Sequence, residues 1–178
     1  MKDLKEYNIP FVGLKLGKHL FDFEINNSFF DFFEYDEFND VNVLTSLEFE
    51  KKTTLLELHF NISGIVNVNC DLTNEPYNQN VNGEFDLVVK FGNDYNDDNE
   101  DILIIPHGEY EINVAQYIYE LIILSVPQKR IHPGVEDGTL NSEILNKLEE
   151  LSPNKDNKSN NHEIDPRWQT LKKLLTDK

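Results

Sequence analysis

The sequence predicts an α+β fold: an antiparallel, strongly curved sheet of about five or six strands, a helix covering it, and a C-terminal helix on a polar tether. Three observations predict it. In Val43 to Glu50, Val43, Thr45, Leu47 and Phe49 share one face with Ser46, Glu48 and Glu50 opposite, and Leu56 to Ser63 alternate apolar and polar residues, which is the pattern of antiparallel strands with one buried and one wet face. Ala115, Ile118, Ile122 and Ser125 fall on one helical stripe that ends at Pro127. Asp165, Pro166, Trp168, Leu171 and Leu175 then combine an N-cap, a first-turn proline and an apolar face.

In chain order, Leu20 to Ile25 alternate as a half-buried strand, and Ser28 with Asp31 has the spacing of a capping box opening a short aromatic segment, Phe29 to Phe33. The clearest hairpin follows. Val43, Thr45, Leu47 and Phe49 share one face, Lys51-Lys52-Thr53 turns, and Leu56, Leu58, Phe60 and Ile62 return on the same face. The phase survives Gly64, with Val66, Val68, Cys70 and Leu72 still apolar, so Gly64 is a bend or a point of close approach inside a strand. A strand that long can bend a sheet toward a partial barrel. Phe85, Leu87, Val89 and Phe91 make a further strand, and Asp101 to Ile105 a last, apolar one.

Asn113 and Gln116 have capping-box spacing at the start of the covering helix. A weaker helical pattern, Leu140, Ile144, Leu145, Leu148 and Leu151, precedes Pro153. The sequence therefore divides into one α+β domain over residues 1–151, a disordered polar linker over 152–163, and an amphipathic helix over 164–178 that docks on the domain or on a partner.

Composition bounds the function. A chain of 178 residues with 12 Phe and 7 Tyr can bury a core without metal or disulfide staples. Its one cysteine, Cys70, has no partner within the chain, which points to a reducing compartment. Met1 to Glu6 lack the apolar region of a signal peptide. The longest aliphatic stretch, Leu121 to Leu124, is too short to span a bilayer, and the expected location is the cytoplasm. Sixteen basic against 33 acidic residues give a net charge of −17. That balance opposes DNA binding, because nucleic-acid affinity comes largely from neutralising phosphates. It suits a basic protein partner, whose encounter the field would speed.

Several pieces occur in a recognisable order. They are the strand ending in Val66-Asn67-Val68-Asn69-Cys70-Asp71-Leu72, the strand Phe85 to Phe91, and the acidic stretch before Ile102. The helix around Tyr119-Glu120-Leu121, the segment Val126 to Pro133, and the closing Asp165-Pro166-Arg167-Trp168 follow. Over roughly residues 45–176 this order resembles the bacterial YceD family, the large ribosomal RNA subunit accumulation proteins. The resemblance implies a cytoplasmic, non-catalytic factor supporting synthesis, processing or stability of large-subunit ribosomal RNA. It also implies contact with that RNA, with a basic large-subunit ribosomal protein, or with both. Many members carry a Cys-x-x-Cys at the Cys70 position; here Thr73 takes the second place, and a closed zinc site needs four ligands.

No cofactor is expected from the residues themselves. Asp94, Asn96 and Asp98 have the spacing of a calcium loop, but Asn99 and Ile105 stand where such a loop needs Gly and Glu. Carboxylate pairs such as Asp36 and Glu37 leave open a competing class, a carboxylate- or metal-dependent hydrolase or nuclease acting on RNA. Two basic clusters are the candidate RNA- or partner-binding residues. One is Lys129, Arg130 and His132, in a stretch without acids from Leu121 to Val135; the other is Arg167, Trp168, Lys172 and Lys173. Trp and Arg are common interface anchors, and convergence of the two clusters would give an acidic protein one basic face.

Overall fold

The computed structural model describes residues 4–140 and 143–151. A 3-10 turn (Leu4–Tyr7) leads into a two-residue strand β1 (Asn8–Ile9) and a second 3-10 turn (Phe11–Gly13). Four long strands follow, β2 (Gly17–Asn26), β3 (Asp40–Lys51), β4 (Leu55–Asn69) and β5 (Pro76–Gly92), with helix α1 (Asn27–Phe30) and a 3-10 turn (Asp31–Phe33) between β2 and β3. Then come β6 (Asn96–Asn99), β7 (Ile102–Pro106), β8 (Ile112–Asn113), α2 (Ala115–Ser125), α3 (Pro133–Glu136) and α4 (Glu143–Leu151). The architecture is mixed α+β, with one large sheet and few helices.

Alternation in the sequence becomes alternation in burial. Val43, Thr45, Leu47 and Phe49 of β3 and Leu56, Leu58, Phe60 and Ile62 of β4 are buried, while Ser46, His59 and Asn61 point to solvent. The β3–β4 register sets Thr45 opposite Ile62 and Leu47 opposite Phe60, so both apolar sets face one core, and a slip by one residue would expose them all. Gly64 is a point of close approach: a Cβ there would lie 2.3 Å from the Asn42 carbonyl oxygen and 2.6 Å from Val43 Cα. Beyond it Val66, Val68 and Cys70 remain buried, but β4 ends at Asn69 and Leu72 is exposed in the following turn.

Sheet order is β2-β3-β4-β5-β7-β6. The edges β2 and β6 do not pair with each other, so the sheet is open, neither closed nor strongly curled. Nor is it antiparallel throughout. β5 and β7 pair in parallel, Val89 opposite Leu103 and Phe91 opposite Ile105. The chain reaches that arrangement by doubling back through β6, which pairs antiparallel to β7 at the edge. The acidic stretch before Ile102 is thus partly an edge strand, and an exposed edge carrying Asp97 and Asp98 resists adventitious strand pairing.

The helix α2 lies across the inner face of the sheet. Ala115, Ile118 and Ile122 are buried, and Gly83 of β5 makes room for it, since a Cβ there would meet Ser125 Oγ at 2.3 Å and Leu121 Cδ1 at 3.2 Å. Asn113, one residue before the N-cap Val114, accepts from the Ala115 N–H at 3.0 Å through its Oδ1. Gln116 does not complete the capping box; it donates to Glu120 instead. At the head of α2, β8 pairs with β1 and the Val114 N–H donates to the Tyr7 carbonyl. Asn26, not Ser28, caps α1, accepting from the Ser28 N–H. The aromatic segment that follows seals one end of the core: Phe33 stacks on Tyr119 of α2 with ring centres 4.1 Å apart, and Phe30 meets Phe38 edge-on.

Among the described residues of the unit Met1–Asn141, no helix covers the outer face of the four long strands. That face carries acids, with Asp22, Glu24, Glu84 and Asp86 exposed beside exposed Leu20, Leu44 and Ile65, and Asn side chains bridge strands from Asn39 to Asn67 and from Asn67 to Asn78. Two compact units make up the chain, Met1–Asn141 and Ser142–Lys178. The described part of the second is α4, an amphipathic helix beginning at Glu143. The linker expected over 152–163 and the helix expected over 164–178 lie outside the described residues.

Candidate functional site

The segment after α2 is held by backbone and side chain together. The Asp71 N–H donates to the Arg130 carbonyl at 2.7 Å, and the Arg130 N–H donates to Asp71 Oδ2, also at 2.7 Å. The Arg130 guanidinium donates to Glu37 Oε2 at 3.1 Å and lies 3.5 Å from Asp71 Oδ1. A stretch without acids in sequence is therefore surrounded by acids in space, supplied by the turn before β3 and the turn after β4. Beside it the Tyr35 phenol is pushed up to about 12, first by burial and then by the Glu37 carboxylate, with Arg130 working in the opposite sense. Lys129 is exposed.

His132 is half-buried and faces inward. Its Nδ1 accepts from the Gly134 N–H at 2.9 Å, capping α3, and its ring meets Tyr77 edge-on at 5.5 Å. The His132 N–H donates to Cys70 Sγ at 3.3 Å. Burial pushes the Cys70 thiol up, but the Thr73 hydroxyl and the N–H groups of His132, Leu72 and Thr73 outweigh it and hold the thiol below its usual value. Thr73 thus uses its hydroxyl on the sulfur beside it, and Cys70 ties the β4–β5 turn to the segment after α2. Among the described residues no three His, Cys, Asp or Glu side chains are grouped so as to hold a metal ion. Among the described residues no helix is long and apolar enough to cross a membrane.

Arg130 and His132 are therefore embedded, with Lys129 facing outward beside them. Arg167, Trp168, Lys172 and Lys173 lie outside the described residues, and so does the convergence of the two clusters.

Sequence reasoning did not find the cavity beside α2. A groove of about 760 Å³ opens between α2, β5 and the β6–β7 edge. Phe85, Leu87, Leu103 and Tyr117 make an apolar floor. Asp97, Glu100, Glu109, Glu111 and Glu120 line it as well, and among the described residues no Lys, Arg or His does. Burial, with Tyr95, Asp97 and Glu120 nearby, pushes the Tyr117 phenol up to about 12. The signal was present only as scattered acids at 97–111 and an outward Leu124; the return of β7 parallel to β5 is what gathers them.

A family model described as Large ribosomal RNA subunit accumulation protein YceD matches residues 58–175. The match begins inside β4 and takes in Cys70, the groove, the covering helix and the segment Lys129 to Pro133. No curated protein and no solved structure gives a match. With more than half of its length covered by the model, the chain belongs to the YceD family of large ribosomal RNA subunit accumulation proteins.

Proposed function

We propose that the protein supports synthesis, processing or stability of large-subunit ribosomal RNA as a non-catalytic cytoplasmic factor, through contact with the large subunit's basic proteins, its RNA, or both. The family match over residues 58–175 carries this reading; the family is described by accumulation of an RNA, and that description names no reaction. Charge weights the contact toward protein, because a net charge of −17 repels phosphate at long range and attracts Lys- and Arg-rich surfaces. Lys129, exposed beside a buttressed Arg130, is the described residue best placed for a local RNA contact, and Arg167, Trp168, Lys172 and Lys173 supply a second.

A pull-down of the tagged full chain from growing cells, with and without RNase, tests the reading. Large-subunit RNA or ribosomal proteins should be enriched over an acidic control of matched charge. Protein partners that survive RNase establish direct protein contact. An eluate with no ribosomal component would overturn the proposal.

A further inference from the structure

We propose that the groove beside α2 is a docking site for a Lys/Arg-rich protein segment carrying one large apolar side chain. The proposal rests on the partner-binding reading above and assigns that reading a place and a chemistry. Its floor offers Phe85, Leu87 and Tyr117 to an apolar anchor, and Leu124 stands at its margin with 82% of its surface exposed. At about 760 Å³ the space falls within the range of about 300–1,000 Å³ typical of ligand pockets, enough for an anchor and its neighbours.

The rim decides the occupant. Among the described residues, none of Asp97, Glu100, Glu109, Glu111 and Glu120 is in an ion pair. The hydrogen bonds they accept come from neutral groups: Glu111 from the Asn8 amide, Glu120 from the Gln116 amide and Asp97 from the Tyr95 phenol. Five carboxylates around an apolar floor repel each other and repel phosphate. A segment bearing several cations relieves that repulsion while its apolar side chain removes the floor from water. An RNA strand could stack on Tyr95, Phe85 or Tyr117, but its phosphates would meet the like charge of Asp97, Glu100, Glu109, Glu111 and Glu120.

Acids also occur outside the groove, on the outer sheet face, where exposed Leu20, Leu44 and Ile65 lie on the strand surface among them. The outer sheet face is acidic, but Lys18 pairs with Glu48 and Lys52 with Glu57 there, and Asn side chains bridge the strands. That face is an internal control for acids outside the groove.

The test uses the full-length protein and three fluorescent probes: a Lys/Arg peptide centred on one Trp, the same peptide with Ala for Trp, and a single-stranded oligoribonucleotide of equal length. Fluorescence anisotropy should show the Trp peptide binding more tightly than the Ala peptide. Asp97→Asn with Glu109→Gln and Glu120→Gln should weaken it by about tenfold or more. Asp22→Asn with Glu24→Gln and Glu84→Gln, which removes equal charge from the outer face, should change it by less than about threefold. Equal losses from both triple variants, or tighter binding of the oligoribonucleotide, would overturn the proposal. The two triple variants are then returned to cells lacking the protein. If its loss leaves large-subunit RNA at normal levels, the functional reading fails. If its loss depletes that RNA and the groove variant restores it fully, the groove proposal fails while the functional reading stands.

Discussion

Arg130→Ala should destabilise the protein, and the structure sets the size of the effect. The guanidinium donates to Glu37 at 3.1 Å and sits 3.5 Å from Asp71. Its side chain is 28% exposed, while Glu37 and Asp71 are 57% and 38% exposed. Exposed ion pairs contribute about 0.2–1 kcal/mol each. Two pairs sharing one half-buried guanidinium belong at the upper end of that range, for a total of about 1–2 kcal/mol. The main-chain bonds between Arg130 and Asp71 survive the substitution, which caps the loss. For a chain of this size each kcal/mol moves the melting temperature by about 2–4 °C, so the variant should melt about 2–8 °C below the parent. Thermal melting by far-UV circular dichroism reads this directly, with Lys129→Ala as a control that should not move. Glu37→Gln should give part of the loss, and the double variant less than the sum. High salt should narrow the gap only in part, because the guanidinium is partly shielded. If Arg130→Ala melts with the parent, the guanidinium is not part of the fold and belongs with Lys129 as a contact residue.

Three further outcomes follow from the core. Thr45 is buried with a hydroxyl that has no hydrogen-bond partner among the described residues, so Thr45→Val should stabilise by about 1 kcal/mol or more; a lower denaturation midpoint would mean the hydroxyl is satisfied after all. Gly64→Ala places a methyl within 2.3 Å of the Asn42 carbonyl oxygen and should cost about 1–3 kcal/mol by forcing β3 and β4 apart, whereas an unchanged urea midpoint would show that the strands do not approach so closely. Tyr35 and Tyr117 are both raised to about 12, and Tyr7 higher still, burial being the largest cause for each. A raised pKa means that the folded state holds the proton more tightly, so this contribution to stability is complete below about pH 10. It is lost as pH climbs through about 12. Part of the tyrosinate absorbance should therefore appear only as the circular dichroism signal collapses; ionisation of all 7 tyrosines near pH 10 with the fold intact would refute the burial of these phenols.

Elements whose pattern is local were legible in the sequence. The β3–β4 hairpin, the unbroken phase past Gly64 and the stripe of α2 depend on residues a few positions apart, and period alone places them. Elements decided by distant partners were not. β7 pairs parallel to β5 because the short β6 carries the chain back, and nothing within Ile102 to Ile105 announces that direction. The open edges follow from β2 and β6 having no common partner, which strand length cannot reveal. Asn26 displaced Ser28 as the cap because its side chain reaches the Ser28 N–H first, although both are good capping residues. The opening of the chain, which added little to the resemblance, supplies the edge strand β2 and the aromatic seal on α2.

The same limit explains the two faces of the site. A window of sequence shows only neighbouring charges, and Leu121 to Val135 is a window without acids; the fold brings Glu37 and Asp71 to Arg130 from positions far away in the chain. In the groove the opposite happens: acids spread from Asp97 to Glu120 are gathered around an apolar floor and pair with no cation among the described residues. Carboxylates of the first kind are neutralised within the molecule, so removing their cation lowers stability and adds nothing to association. Carboxylates of the second kind keep their mutual repulsion in the free protein, and a cationic partner is what relieves it. With 33 acids and 16 bases most carboxylates must be of the second kind or simply solvated. The apolar floor is what separates those a partner can use from those that only keep the protein in solution, since charge attraction at an exposed surface is weak without desolvation.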